Sequence, residues 1–243
     1  MADIKNTTDE STNVNPSYEI DPDGDVTLVV NNIARGLPAD LKDVPPDLLA
    51  GNEELDESTP MEEESSEATE DADSTARHLR LRVSSKQLSL ACPHFARMFK
   101  SDLREGTELR NNGRVELEVD QPCGTAVLLL MLVIHGRTRQ VPRVVSKEML
   151  IEIAVLVDYF ECYKAVEVFF DMWITAIEPH PEERVVEMRD WVFISWVFSK
   201  KTIFEQTTLA VIRRYPTVIP AQGLPLPARI LGLSLSHLSL HPY

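Results

Sequence analysis

Cysteine is scarce in this chain. The 243 residues hold three, Cys92, Cys123 and Cys162. They are odd in number, far apart and never in a CxxC pair, which argues against a disulfide framework and a structural zinc. Glycine is nearly as thin, at nine residues. None clusters into a phosphate-cradling loop, and no GxSxG elbow or metal-ligand spacing occurs. Long apolar runs are missing too. The longest spans 126–134 and is too short to cross a bilayer. The opening MADIKNTTDE lacks the charged-then-apolar pattern of a secretory signal, so an intracellular chain is expected. A clustered basic surface, which direct nucleic-acid binding needs in order to displace counterions, is also absent. Arg137, Arg139 and Arg143 are spaced apart and interrupted by Pro142, and read as residues that solvate a loop.

What is present divides the chain in two. Residues 1–77 carry 21 acidic side chains against 4 basic ones, while the remainder carries 18 against 20. The net charge of −15 therefore belongs to the N-terminal third. No basic residue lies between Lys42 and Arg77. A segment of Glu, Asp, Ser and Thr with scattered prolines repels itself and has too little apolar surface to offset the entropy of ordering. Residues 1–18 read as a polar tail, and about 31–77 as an acidic insert without a core of its own. The insert is a solvated spacer, or a segment that mimics an anionic partner or docks on a basic protein surface, the spacer being the simpler reading.

The rest alternates between two periods. Asp21-Pro22-Asp23-Gly24 is a turn signal, and 25–30 is an apolar, β-branched strand. Residues 78–83 and 114–119 alternate polar and apolar, which puts Leu79, Leu81 and Val83, and then Val115, Leu117 and Val119, on one sheet face. Ser84 and Ser85 are helix N-cap candidates before 86–90, and Pro93 opens a second helix. Residues 102–106 read as a polar connector and Asn111-Asn112-Gly113 as a turn. Asp120 is expected to cap a buried helix over 121–135, and Ser146 the next one, over 147–158. Helices over about 161–177, 182–199 and 202–214 carry Phe169, Phe170, Trp173, Trp191, Phe193, Trp196 and Phe198. At helical spacing these aromatics are core rather than a stacking platform. The class is α+β: three short strands with a helical majority.

The order of these elements, and several phrases within them, resemble the BTB/POZ family in its fungal single-domain form. Asp21 to Val26 resembles the family's opening "GD-V" strand. HLRLRVSSKQLSLACPHFARMF, residues 78–99, resembles its strand followed by "VLxxxSxxFxxMF". Leu103-Arg104-Glu105-Gly106 resembles the "F-x-EG" connector, and Val115-Glu116-Leu117 with Asp120 resembles "I-x-L-x-x-D". Residues 132–136 and 155–162 resemble "xxIHG" and "xLADKYxC". The resemblance covers about 20–178 with the insert excised, so a BTB/POZ-like domain is expected over 19–178. A helical extension over 179–215 and a Pro- and Leu-rich tail over 216–243 follow.

That resemblance implies a non-enzymatic protein–protein interaction fold, an adaptor or scaffold with no cofactor, no metal and no catalytic residue. Some members bind cullin scaffolds of ubiquitin ligases, and others sit on transcription regulators. The expected partners are proteins, with neither direct nucleic acid nor membrane. By the resemblance, Leu103 and Glu105 are the candidate cullin contact, against the plainer reading of a loop with Leu103 tucked onto Phe99. Leu88, Leu90 and Phe95 are the candidate contributors to a homodimer, against the reading of all three as monomer core. The family's strand Asp is Asp25. Its usual Arg partner is replaced by Ser85, after Ser84 in place of His. An unpaired buried carboxylate is costly, so Asp25 is expected to cap a turn or meet a backbone donor. Enzyme chemistry would need a Cys beside a His base, such as Cys92 and His94 at a helix start. A core Cys92 is the stronger expectation. His135 reads as a helix C-terminal cap and His180 as part of a linker.

Overall fold

Three apolar residues in each of three strands dictate the sheet. The computed structural model describes residues 17–31, 78–120, 123–177, 185–214, 224–226 and 230. Strand β1 is Ser17–Glu19, β2 Val26–Asn31, β3 Leu79–Val83 and β4 Val115–Asp120. The order across the sheet is β1-β3-β2-β4. β2 runs antiparallel to β3 and parallel to β4, and β1 runs parallel to β3. The register stacks Val26 with Val83 and Val115, Leu28 with Leu81 and Leu117, and Val30 with Leu79 and Val119. All nine side chains are buried on one face. A slip of one residue would turn each row to solvent, so the alternation itself sets the register.

Eight described helices follow: α1 Ser85–Ala91, α2 Pro93–Lys100, α3 Arg104–Asn112, α4 Gly124–Ile134, α5 Lys147–Phe160, α6 Tyr163–Ala176, α7 Val185–Val197 and α8 Lys201–Arg214. The chain is α+β. Helix α4 is apolar all round and every one of its residues is buried, which makes it the axis against which sheet and helices pack. Trp191, Val192, Phe193 and Ile194 of α7, and Val211 of α8, belong to the same core. The C-terminal helices are therefore continuous with the domain rather than an appendage. Leu226 and Ile230 are buried in that core as well, so the tail expected over 216–243 is anchored at two points.

Four sequence expectations change. A fourth strand, β1, overlaps the end of the tail expected over 1–18. It is only three residues long, with Tyr18 its one buried side chain, too short to show a period. The connector expected at 102–106 is in part helix α3. Asp120 ends β4 and is not the cap of α4, whose N-cap is Cys123. Arg137 does more than solvate a loop: its Nε and Nη2 donate to the Ile20 carbonyl at 3.0 and 2.8 Å, tying the end of α4 to the segment after β1. Ser146, by contrast, caps α5 as expected, its Oγ accepting from the Met149 N–H.

The insert leaves and re-enters the sheet at one place. Asn31 ends β2, and its Oδ1 lies 2.8 Å from the Nδ1 of His78 beside β3. Residues 32–77 lie outside the described part of the chain. Closing even a long loop between paired strands costs little more than closing a short one, so β2 and β3 pair across the 46 residues between Asn31 and His78. Among the described residues no helix is long and apolar enough to cross a membrane.

Candidate functional site

The residues singled out by the sequence fall in three places. The first is the junction of β2, α1 and the end of α4. Asp25 precedes β2, and its carboxylate accepts from the Ser85 N–H at 2.7 Å and the Ser85 hydroxyl at 2.6 Å. The N-cap Ser84 makes no side-chain cap bond. Asp25, just before β2, therefore supplies the acceptor that a helix start requires. The Ser84 N–H donates to His135 Nε2 at 3.0 Å, and His135 Nδ1 lies 2.8 Å from the Met131 carbonyl. The two bonds together require a neutral ring, with its proton on Nδ1. Burial lowers the His135 pKa, the Met131 carbonyl opposing it. Gly24 closes this junction, since a Cβ there would sit 2.6 Å from the Val83 carbonyl oxygen.

Ser, His and Asp thus meet at one point but are not wired as a nucleophilic triad. That arrangement needs the imidazole against the serine oxygen and the carboxylate behind the imidazole. Here the hydroxyl donates to the carboxylate and the imidazole serves a backbone N–H. The junction is a lock on the start of α1.

The second place is the α2–α3 corner. Leu103 is the N-cap of α3 and is 63% exposed, so it does not tuck back onto Phe99. Glu105 lies in the first turn of α3, where the helix dipole favours a carboxylate. Arg110 braces the corner. Its guanidinium donates to the carbonyls of Phe99 and Ser101 at 3.2 and 3.0 Å and to Asp102 Oδ1 at 3.1 Å. Gly106 is pressed against α2: a Cβ there would stand 2.4 Å from the Ser101 carbonyl oxygen and 2.9 Å from those of Met98 and Phe99. Leu103 and Glu105 both lie on this braced start of α3.

The third place is α1 and α2. Leu88 and Phe95 are fully or almost fully buried, while Leu90 is 76% exposed. The homodimer expectation narrows accordingly to Leu90, because a side chain inside the core cannot reach a partner. Leu90 and Pro93 edge a groove of ≈ 670 Å³ that Tyr163 and Val197 share. Cys92, the α2 N-cap, and Cys162, the α6 N-cap, are both buried. The neighbouring Cys92 thiol and burial together push the Cys162 thiol well up, the opposite of what a nucleophile needs. His94 packs on the rings of Phe95, Tyr159 and Phe160. Its pKa is lowered by burial and by Arg97.

Sequence reasoning missed Arg110 and the role of Gly106. A signal was present in Glu105 early, Arg110 late and Gly113 at a left-handed C-cap, which is the charge and cap order of a helix. Among the described residues no group of three or more His, Cys, Asp or Glu could hold a metal ion. No protein-family model matches the chain, and no curated protein matches it in sequence.

Proposed function

We propose that this chain is a non-enzymatic, intracellular protein–protein interaction module of the BTB/POZ type, acting as an adaptor or scaffold. The observation that carries the reading is the α2–α3 corner. An apolar side chain exposed at 63%, two residues before a carboxylate, sits on a helix start held by Arg110 and Gly106. Such a pair suits a protein contact, with Leu103 as the anchor that loses water in a partner's pocket and Glu105 as the orienting charge beside it. A cullin scaffold is the partner this corner fits within the BTB/POZ reading. The succession of two paired strands, two short helices, a corner, a third strand and a buried helix supports the same reading.

The test is binding of the purified full chain to a purified cullin N-terminal region by isothermal titration calorimetry. Wild type is expected to bind. Leu103→Ala/Glu105→Ala is expected to lose about 2 kcal/mol or more, a roughly thirtyfold weakening, with an unchanged thermal melt. Absence of wild-type binding refutes the cullin contact. A second surface is favoured by the exposure of Leu90 above its groove, which fits self-association. Analytical ultracentrifugation is expected to give a dimer that Leu90→Asp dissociates, and a monomeric wild type refutes that surface.

A further inference from the structure

The outer edge of β4 borders a cavity of ≈ 250 Å³. The cavity is lined by Leu117 and Val119, which point to the core, and by Glu118 and Asp120, which point away from it. Residues of both parities take part, so the cavity runs along the open edge of the strand rather than beneath one face. Its apolar side is built by α2 and the end of α5: Phe95 stacks on Phe160 at 4.8 Å between centroids, and Met98 and the 56% exposed Tyr159 stand at the rim.

Among the described residues β4 pairs with β2 alone. The Val115 N–H donates toward β2, to the Asp25 carbonyl at 3.0 Å. By the two-residue period of a strand, Leu117 and Val119 bond inward in the same way, while the N–H and C=O groups of Glu116, Glu118 and Asp120 face outward. Glu116 is engaged by Arg80. Glu118 and Asp120 meet no cation among the described residues, and both are exposed. The edge thus offers a ladder of outward backbone groups with two unpaired carboxylates on one side and an aromatic cavity on the other.

We infer that the Glu116 to Asp120 edge of β4 takes an extended segment of a basic protein partner. Such a segment adds a strand of about five residues, roughly 16 Å long at about 3.3 Å per residue. Its apolar side chains enter the cavity beside Tyr159 and Met98, and its alternating lysines or arginines lie against Glu118 and Asp120. Backbone pairing supplies affinity, and the alternating side chains supply selectivity. A second copy of the same edge is disfavoured because like charges would meet across the pair. The 17-charge acidic excess of residues 1–77 also favours a cationic partner over an anionic one. This inference names a partner class for the proposed interaction module and rests on that reading, but it uses a surface separate from Leu103 and Glu105.

The test begins with selection of random linear nonapeptides displayed on phage, using the full-length chain as bait. Enrichment of peptides alternating apolar residues with Lys or Arg is expected. Fluorescence anisotropy of an enriched, labelled peptide should show binding weakened roughly tenfold or more by Glu118→Gln/Asp120→Asn. Glu118→Lys/Asp120→Lys should weaken it further. Both pairs lie on the surface, and circular dichroism should show an unchanged melt. N-methylation of alternate peptide amides should abolish binding at the positions that face β4 and spare the others. Leu103→Ala/Glu105→Ala should bind the peptide as wild type does, so failure at one surface is told apart from failure at the other. No enrichment, enrichment without the alternation, equal binding by both carboxylate variants, or tolerance of N-methylation at every position would each overturn the inference.

Discussion

Gly106→Ala separates two physical arguments that give opposite signs. By intrinsic propensity, replacing a glycine inside α3 with alanine stabilises a helix by about 1 kcal/mol. By packing it does the reverse. The new Cβ would stand 2.4 Å from the Ser101 carbonyl oxygen and 2.9 Å from the carbonyl oxygens of Met98 and Phe99. All three are backbone atoms at the end of α2, held in part by the Arg110 guanidinium, and none can swing aside as a side chain would. An ordinary carbon–oxygen contact of about 3.3–3.6 Å requires α3 to move by about 1 Å. Overpacking of this kind costs about 1–3 kcal/mol, which outweighs the propensity gain. A urea titration followed by circular dichroism checks the sign. With a slope of about 2 kcal/mol per molar, the overpacking cost less the propensity gain is a net loss of up to about 2 kcal/mol and lowers the midpoint by up to roughly 1 M. The same displacement moves Leu103 and Glu105, so binding at that corner should weaken in step. A midpoint equal to or above that of wild type would refute the packing argument and show that α3 is free to shift.

Three further outcomes follow from the same geometry. Asp25→Ala removes the acceptor for the Ser85 N–H and hydroxyl, and should cost about 1–2 kcal/mol, read as a lower thermal midpoint. Neutral His135 holds the Ser84 N–H, and burial lowers its pKa in the folded state. Its contribution is therefore complete above the unfolded value of about 6.5 and is lost as pH falls through the lower folded value, because the unfolded chain binds the proton first. His94 shifts in the same direction, so the His135 share is the difference between wild type and His135→Gln in urea midpoints measured from pH 7.5 to 5. A variant with the same pH slope as wild type would count against it. Of the three thiols, only the half-buried Cys123 should react with a maleimide in the folded protein, with Cys92 and Cys162 labelled only in denaturant; mass spectrometry of the product gives the count.

Where a residue's effect is local and periodic, sequence was a sufficient guide. The alternation at 79, 81 and 83 and at 115, 117 and 119 gives strands buried on the expected face, and the aromatic stripes of α6 and α7 fill the core. Ser146 caps α5 because a cap bond spans only three residues. The failures share one cause, which is that a distant group supplied what the local segment lacked. Helix α3 carries Leu109 as its single large apolar residue and a glycine in its first turn. Its order comes from the fit of Gly106 against α2 and from Arg110 reaching eleven residues back. β1 exists because Arg80, Leu81 and Arg82 offer it an edge. Ser84 looked sufficient to cap α1, yet the acceptor comes from Asp25, sixty residues before Ser85.

The junction at Asp25 shows how a missing cation changes what a surface can do. A carboxylate beside β2 with no guanidinium partner must be satisfied by neutral donors or remain in water. Ser85 satisfies it twice, through its N–H and its hydroxyl, and His135 takes the adjacent Ser84 N–H. The Asp25 carboxylate, the Ser85 N–H and hydroxyl and the Ser84 N–H are then all engaged in holding the start of α1. A partner could compete for none of them without releasing the helix. Among the described residues, the groups that the fold leaves uncommitted include Leu90 and Leu103, with apolar surface in water, and the β4 edge, with outward amides beside Glu118 and Asp120. Each lies on an element fixed by buried residues, so binding there would not have to pay the ordering entropy that a loose segment would.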